Sequence, residues 1–316
     1  MRKKTVILFS ISMVYIFLAS CNFLISPLHT RENSNDWKKQ IHNLFAEQLT
    51  DNSLKISFSW LGDRNFYYDE DNIDIDEALL IYSTDKAYLS RTTLIPPEYG
   101  GSYRFDFSEE YHLYSKEISE FSKNEEVWFA LYPKQGMRWY APLYEKIVLQ
   151  DASSIPTITS PSMSPINGFI MDSSGYHYEL YTGSPGDPYS IESSFGFARY
   201  LVLQFDLPDR ARCLDATIYL PVNGGAVIGY AYPIISGEFE YVDDTQRLRL
   251  IDYQNASTFT YDQAAAGNAN ITAAVDAAIK YRSNTILFAI EDGSTENTTA
   301  GSGYGDESMV ITFQQY

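Results

Sequence analysis

The run Ser53–Trp60, SLKISFSW, constrains what this chain can fold into more than any other feature. Leu54, Ile56, Phe58 and Trp60 alternate with serines and a lysine. A period of two places four large apolar side chains on one face of an extended strand, whereas a helix would scatter them around its axis. Shorter runs of strand character follow from Ala78 to Tyr82, in EEVWFALYP (125–133) and in YEKIVL (144–149), with turn residues between them. Several short strands punctuated by turns predict a sandwich over residues 51–150. The 26 Tyr and 18 Phe point the same way, because these rings suit a pleated, half-buried surface.

Residues 167–316 are predicted as a second all-β unit. Tyr200–Asp206, YLVLQFD, and Leu214–Val222 are strand-like, as are Thr285–Ile290 and Met309–Phe313. Between them, Ile271, Val275 and Ile279 fall at i, i+4 and i+8 with alanines interspersed, which predicts a short helix capping the open end of a sandwich. Residues 151–166, DASSIPTITSPSMSPI, are rich in Ser and Pro and read as a linker. Near the start, Trp37, Ile41, Leu44, Phe45 and Leu49 lie at i, i+4, i+7, i+8 and i+12, with Asn35 placed as an N-cap. That spacing predicts an amphipathic helix over residues 36–50, packed under the first domain, with a partner-binding helix as the alternative. The fold class expected is therefore all-β: two β-sandwich domains and a short N-terminal helix.

Three stretches resemble known families. Residues 1–21, MRKKTVILFSISMVYIFLASC, have a basic start, an uncharged stretch from Thr5 to Leu18, and the ending Leu18-Ala19-Ser20-Cys21. The apolar stretch is short for a bilayer span and suits a signal peptide. Its ending resembles the lipobox of bacterial lipoproteins. The resemblance implies cleavage after residue 20, lipidation of Cys21, a polar tether over residues 21–35, and attachment to a membrane outside the cytoplasm. The outer membrane or cell surface is expected rather than the inner membrane, and Asn22 is uninformative beyond not being the Asp that marks inner-membrane retention in some bacteria. An uncleaved signal anchor running on to Ile25 is the alternative.

The first sandwich resembles a fibronectin type III domain. The Trp60 strand is similar to that family's second strand and LLIYSTD (79–85) to its third. ISEFSKNEEVWFALYP resembles the segment in which a buried apolar residue, here Phe121, precedes the long sixth strand. Val127 stands where the family usually carries a tyrosine. This resemblance implies a seven-stranded spacer or binding module. The second domain resembles the carbohydrate-module-like jelly rolls called DNRLRE domains, through the ordered succession of YLVLQFDLP, ARCLDATIYL, NITAAVDAAIKY, NTILFAIEDG and the terminal strand. Gln204 stands where that family usually has Arg, and Tyr281 or Ile279 stands near its usual Trp.

Charge narrows the functions. The chain carries −18, and loss of residues 1–20 with their three basic side chains would leave −21. Both halves are acidic. Such a surface repels phosphate backbones and excludes nucleic acid as a partner. The cysteines are Cys21 and Cys213 alone, so with Cys21 lipidated there is no disulfide and no cysteine-based metal site. Cys213 reads as a small buried hydrophobe. The four histidines show no ligand spacing, and no nucleophile elbow or phosphate loop is present, so catalysis is not expected.

Two groups of residues are candidates for binding. Tyr176, Tyr178, Tyr181 and Tyr189 lie among turn residues in YHYELYTGSPGDPY, and Tyr230 and Tyr232 flank an alanine. Rings beside amides and carboxylates suit a glycan, while cross-strand packing is the other reading of the same tyrosines. The acidic run DEDNIDIDE spaces Asp69, Asp71, Asp74 and Asp76 so that their carboxylates could gather Ca²⁺, although Ile73 breaks the EF-hand pattern and a solvated loop is the alternative. No other cofactor is implied. The function expected is a lipid-anchored, non-catalytic binding module, for glycans first. The alternatives are a structural or adhesion lipoprotein contacting envelope or host proteins, and a polysaccharide-degrading enzyme.

Overall fold

The computed structural model describes residues 41–60, 75–85, 101–107, 113–172, 177–179, 189–194, 197–206, 211–223, 228–235, 250–281, 285–293, 299–301 and 306–315. The segments expected as a signal peptide and a tether, with Cys21, lie outside them. The described chain is mostly antiparallel β, arranged as two sandwiches.

In the first sandwich, β1 (Ile41–Thr50), β2 (Ser53–Trp60), β3 (Glu77–Ser83), β4 (Gly101–Asp106), β5 (Leu113–Ile118), β6 (Glu126–Gln135), β7 (Arg138–Trp139) and β8 (Leu143–Val148) form two sheets. One has the order β1-β2-β5 and the other β4-β3-β6, with β7 and β8 both paired to β6. The alternation in SLKISFSW is realised: Leu54, Ile56 and Phe58 are fully buried among Leu80, Val127, Phe129 and Leu131 of the facing sheet. Phe58 meets Phe105 edge to face, with ring centres 4.9 Å apart. Ser57 and Ser59 are buried too, because β2 is central and its outer face is also covered.

The helix expected over residues 36–50 is corrected by this structure. Residues 41–50 are strand β1, paired with β2, and residues 36–40 lie outside the described set. The pairing slips between His42 and Phe45, where Asn43 takes a left-handed φ of 50°. The slip changes which residues face inward, so Ile41, Leu44 and Ala46 all reach the core cluster. An irregular strand buried on both faces thus imitates helical spacing.

The second sandwich contains β9 (Thr157–Thr159), β10 (Asn167–Asp172), β11 (His177–Glu179), β12 (Tyr189–Ser194), β13 (Phe197–Asp206), β14 (Ala211–Tyr219), β15 (Val222–Asn223), β16 (Ile228–Pro233) and β17 (Ser257–Thr260). The helix α1 (Tyr261–Ala265), β18 (Ala269–Asn270), the helix α2 (Thr272–Tyr281), β19 (Thr285–Asp292), β20 (Thr299–Gly301) and β21 (Ser308–Gln315) complete it. The larger sheet has the order β15-β20-β12-β13-β19-β16-β17, with β10 added to β13 and β11 to β10. The smaller runs β18-β14-β21-β9. Leu201, Leu203, Phe205, Ile286, Phe288 and Ile290 from the first face Ala216, Ile218, Met309, Ile311 and Phe313 from the second. A bulge at Leu214 leaves that side chain exposed and lets both Cys213 and Ala216 point inward. Ile271, Val275 and Ile279 seat α2 against this core, as their spacing predicts.

The stretch expected as a linker joins the sandwiches, but its second half belongs to the second of them. Asp151 caps a 3₁₀ turn at Ala152–Ser154, and β9 then pairs with β21 along the sheet edge. Met163 bridges to Met309. Pro156 and Pro161 are tolerated because an edge strand need not donate on its free side.

The two sandwiches meet through α2 and the outer face of the β1-β2-β5 sheet. Lys280 is held by Asp276 one turn earlier and lies 3.4 Å from Glu47 Oε1, with both Lys280 and Glu47 only 2% exposed. Arg212 Nη1 donates to the Gln48 carbonyl at 3.0 Å. Leu113 of β5 packs against the cluster of Ile235, Ala277 and Tyr281. The interface therefore joins a buried ion pair to a small apolar contact.

Candidate functional site

β13, β19 and β16 lie side by side in the larger sheet. Alternation sends Leu201, Ile290 and Ala231 into the core between the sheets, and their neighbours in sequence to the opposite face. On that face Met171 is registered with Tyr200, Tyr230 with Glu291, and Tyr232 with Ala289. The segment from Leu250 folds back over the end of this face. Ile251 bridges to Ile234, and the Asp252 amide donates to the Pro233 carbonyl at 2.9 Å. Tyr253 thereby joins the group.

The result is an aromatic patch around one carboxyl group. Tyr230 and Tyr232 stack, with ring centres 5.9 Å apart and planes 21° from parallel. Tyr253 meets the Tyr232 ring at 4.9 Å in an edge-on arrangement, and its hydroxyl lies 3.4 Å from that of Tyr200. Tyr200 and Tyr232 are buried, Tyr230 is half-buried and Tyr253 is 50% exposed. The Glu291 carboxyl lies beside the Tyr232 and Tyr200 phenols, which favour its charged form. Burial nevertheless raises its pKa above the ordinary value, and the neighbouring Asp292 charge adds to the rise. Burial and the Glu291 charge push the phenols of Tyr200 and Tyr232 upward in turn. The patch thus offers two accessible ring surfaces, phenolic hydroxyls, and a carboxyl that is costly to leave charged and dry.

Tyr253 is fixed by its neighbours in the chain. The buried Asp252 carboxylate accepts from Tyr281 Oη, from Asn255 Nδ2 at 2.7 Å and from the Gln254 amide at 2.9 Å. Burial and the Asp252 charge hold the Tyr281 phenol well above its usual range, so it stays a donor.

The tyrosines expected to bind are only partly brought together. Tyr230 and Tyr232 stand in the patch. Tyr178 is registered opposite Ile170, in the row through Leu201, Ile290 and Ala231, one residue out of step with the patch. Tyr189 pairs with Gly301 at the far side of the sheet. Tyr176 and Tyr181 lie outside the described residues. So do Asp69, Asp71 and Asp74, while Asp76 Oδ2 accepts from the Gly136 amide at 3.0 Å. Among the described residues, no group of three or more His, Cys, Asp or Glu side chains is placed to hold a metal.

Sequence reasoning missed Tyr200, Tyr253 and Glu291. A charge ending the apolar run TILFAI of a central strand was a usable signal for Glu291. Tyr253 has no local signal, because only the fold brings it to β16. Cys213 meets its expectation as a buried free thiol. Burial, with the nearby Asp276 and Asp215 charges, pushes it up to about 12.

No family model matches the chain, and no curated protein does. Among solved structures, a chitinase, ChiA74 from Bacillus thuringiensis, aligns at 10% identity with a TM-score of 0.21. That alignment covers 85% of this chain and 28% of the chitinase chain.

Proposed function

We propose that this chain is a bacterial lipoprotein that binds glycans without cleaving them. It is cleaved before Cys21, anchored by lipid on that cysteine outside the cytoplasm, and built from a fibronectin III-like spacer and a jelly-roll binding module. The observation that carries the binding role is the pairing of accessible Tyr230 and Tyr253 rings with the Glu291 carboxyl. Sugars present apolar C–H faces that pack on aromatic rings and hydroxyls that donate to a carboxylate. Binding on a surface of this kind needs neither a metal nor a catalytic pair of carboxyls.

The test is a glycan array probed with the folded chain and with Tyr253→Ala and Glu291→Ala variants. The expected result is retention of a defined class of oligosaccharide, lost in both variants, with the retained sugar recovered uncleaved. Absence of any retained glycan on folded protein sinks the binding role, and release of shortened product sinks the non-catalytic reading. Intact mass tests the anchor separately: a protein of unmodified Met1–Tyr316 mass ends the lipoprotein proposal.

The alternative, contact with another protein, draws on the outer face of the first sandwich. There Tyr144 and Val148 are 54% and 47% exposed, beside Trp128 with Lys146 over its ring. Tyr144→Asp would weaken attachment to envelope protein under that reading and leave glycan retention unchanged.

A further inference from the structure

The aromatic patch belongs to the second sandwich, yet its most exposed ring is tied to the first. Tyr253 follows Asp252 in sequence. The Asp252 carboxylate shapes the turn by accepting from the Gln254 amide and from Asn255 Nδ2. Its third donor, Tyr281 Oη, comes from the last residue of α2. The Tyr281 ring is 3% exposed and shares a cluster with Ile235 and Ala277, against which Leu113 of the first sandwich packs. Ile235 is tied back to the same segment, since its amide donates to the Leu250 carbonyl at 2.9 Å. Leu113, the cluster of Ile235, Ala277 and Tyr281, then Asp252 and Tyr253 therefore link one sandwich to the exposed edge of the patch.

We infer that the first sandwich is a positioning element for this site: Leu113 seats Tyr281, Tyr281 holds Asp252, and Asp252 presents Tyr253. The functional weight of the relay rests on the glycan reading above, but the relay itself is a statement about order in residues 251–256. Its physical basis is that a turn fixed by buried hydrogen bonds opens locally when one donor is lost or its packing loosens. Tyr281 acts through Asp252 and is a positioning residue. Tyr253 is the group that would touch a sugar.

The experiment measures backbone hydrogen exchange across residues 251–256 in the full-length chain without any ligand. Tyr281→Phe keeps the ring and removes the hydroxyl. Leu113→Ala trims the partner on the first sandwich, and Leu113→Met refills the space. Tyr281→Phe is expected to speed exchange in 251–256 about tenfold, the worth of one buried hydrogen bond. Leu113→Ala is expected to speed it roughly threefold, as coupling through a packed contact allows, and Leu113→Met to return it to the wild-type rate. Exchange in β13 and β19 stays unchanged in all three. The inference is overturned if Leu113→Ala leaves 251–256 at the wild-type rate, or if it speeds β13 and β19 equally. The first outcome would confine the network to the second sandwich, and the second would mean general loosening. A glycan array without hits bears on the function of the patch alone, so the two failures are distinguishable.

Discussion

Removing the Lys280 charge should destabilise the protein strongly, and removing its partner as well should restore much of the loss. Lys280 Nζ lies 3.4 Å from Glu47 Oε1 at a site where both side chains are 2% exposed. At an effective dielectric of about 20, Coulomb attraction at that distance is about 5 kcal/mol. Lys280→Met keeps the packing volume and strands the Glu47 carboxylate in the interface. Glu47 Oε2 has no hydrogen-bond partner among the described residues, and the next cation, Lys55, lies 4.0 Å from Oε1 and is partly solvated. Breaking a buried pair from one side costs about 3–5 kcal/mol, and Lys55 places this case near the lower end. Adding Glu47→Gln removes the stranded charge, and the double variant should recover about 2 kcal/mol. The assay is urea unfolding followed by two probes. All four tryptophans precede residue 150, so fluorescence reports the first half of the chain while far-UV dichroism reports both. The two transitions should coincide in the wild type and separate in Lys280→Met. A shift below about 1 kcal/mol in Lys280→Met, or no recovery in the double variant, would refute a structural role for the pair.

Glu291 makes a prediction with a definite sign. Its folded pKa is raised, so the folded state holds the proton more tightly and stability rises as pH falls from 7 toward the ordinary value near 4.5. Calorimetry should show Glu291→Gln melting higher than wild type at pH 7 and lacking that rise; a lower melting temperature at pH 7 would count against the burial argument. A Cβ on Gly293 would overlap the Tyr230 ring, so Gly293→Ala should cost about 1–3 kcal/mol and alter the near-UV dichroism of the tyrosines. An unchanged near-UV spectrum would contradict the close approach. Cys213, pushed up to about 12 from 9.0, holds roughly a thousandfold less thiolate than an ordinary cysteine, so alkylation at pH 8 should be slow until urea is added. Equal labelling of folded and unfolded protein would refute its burial.

What the sequence discloses depends on whether a residue's environment comes from its own strand. Leu54, Ile56 and Phe58 are legible because one face of β2 meets the core, and alternation is a local property. Ile271, Val275 and Ile279 are legible for the same reason at helical period. β1 is not, because Asn43 shifts its phase and both of its faces are covered, the outer one by a helix more than two hundred residues later. The site shows the same division. Tyr230 and Tyr232 lie on one strand two residues apart and announce a shared face. Glu291, Tyr200 and Tyr253 join them through register and a returning segment, neither of which leaves a mark in local spacing. The Ser- and Pro-rich stretch before residue 167 misleads in the opposite direction, because an edge strand and a linker accept the same residues.

The pairing of β9 with β21 bears on how the chain can be made. Thr159 meets Thr312 across that pair, 153 residues later. At ordinary synthesis speeds of about 5–20 residues per second, β9 leaves the ribosome roughly 8–30 seconds before its partner exists. The first sandwich can close during that interval from its own strands. Its neighbour cannot, since β21 runs between β14 and β9 and completes the smaller sheet. Until then β9 and the facing edge of β14 have no strand to pair with. The second half of the chain therefore reaches the native state only after β21 has been delivered.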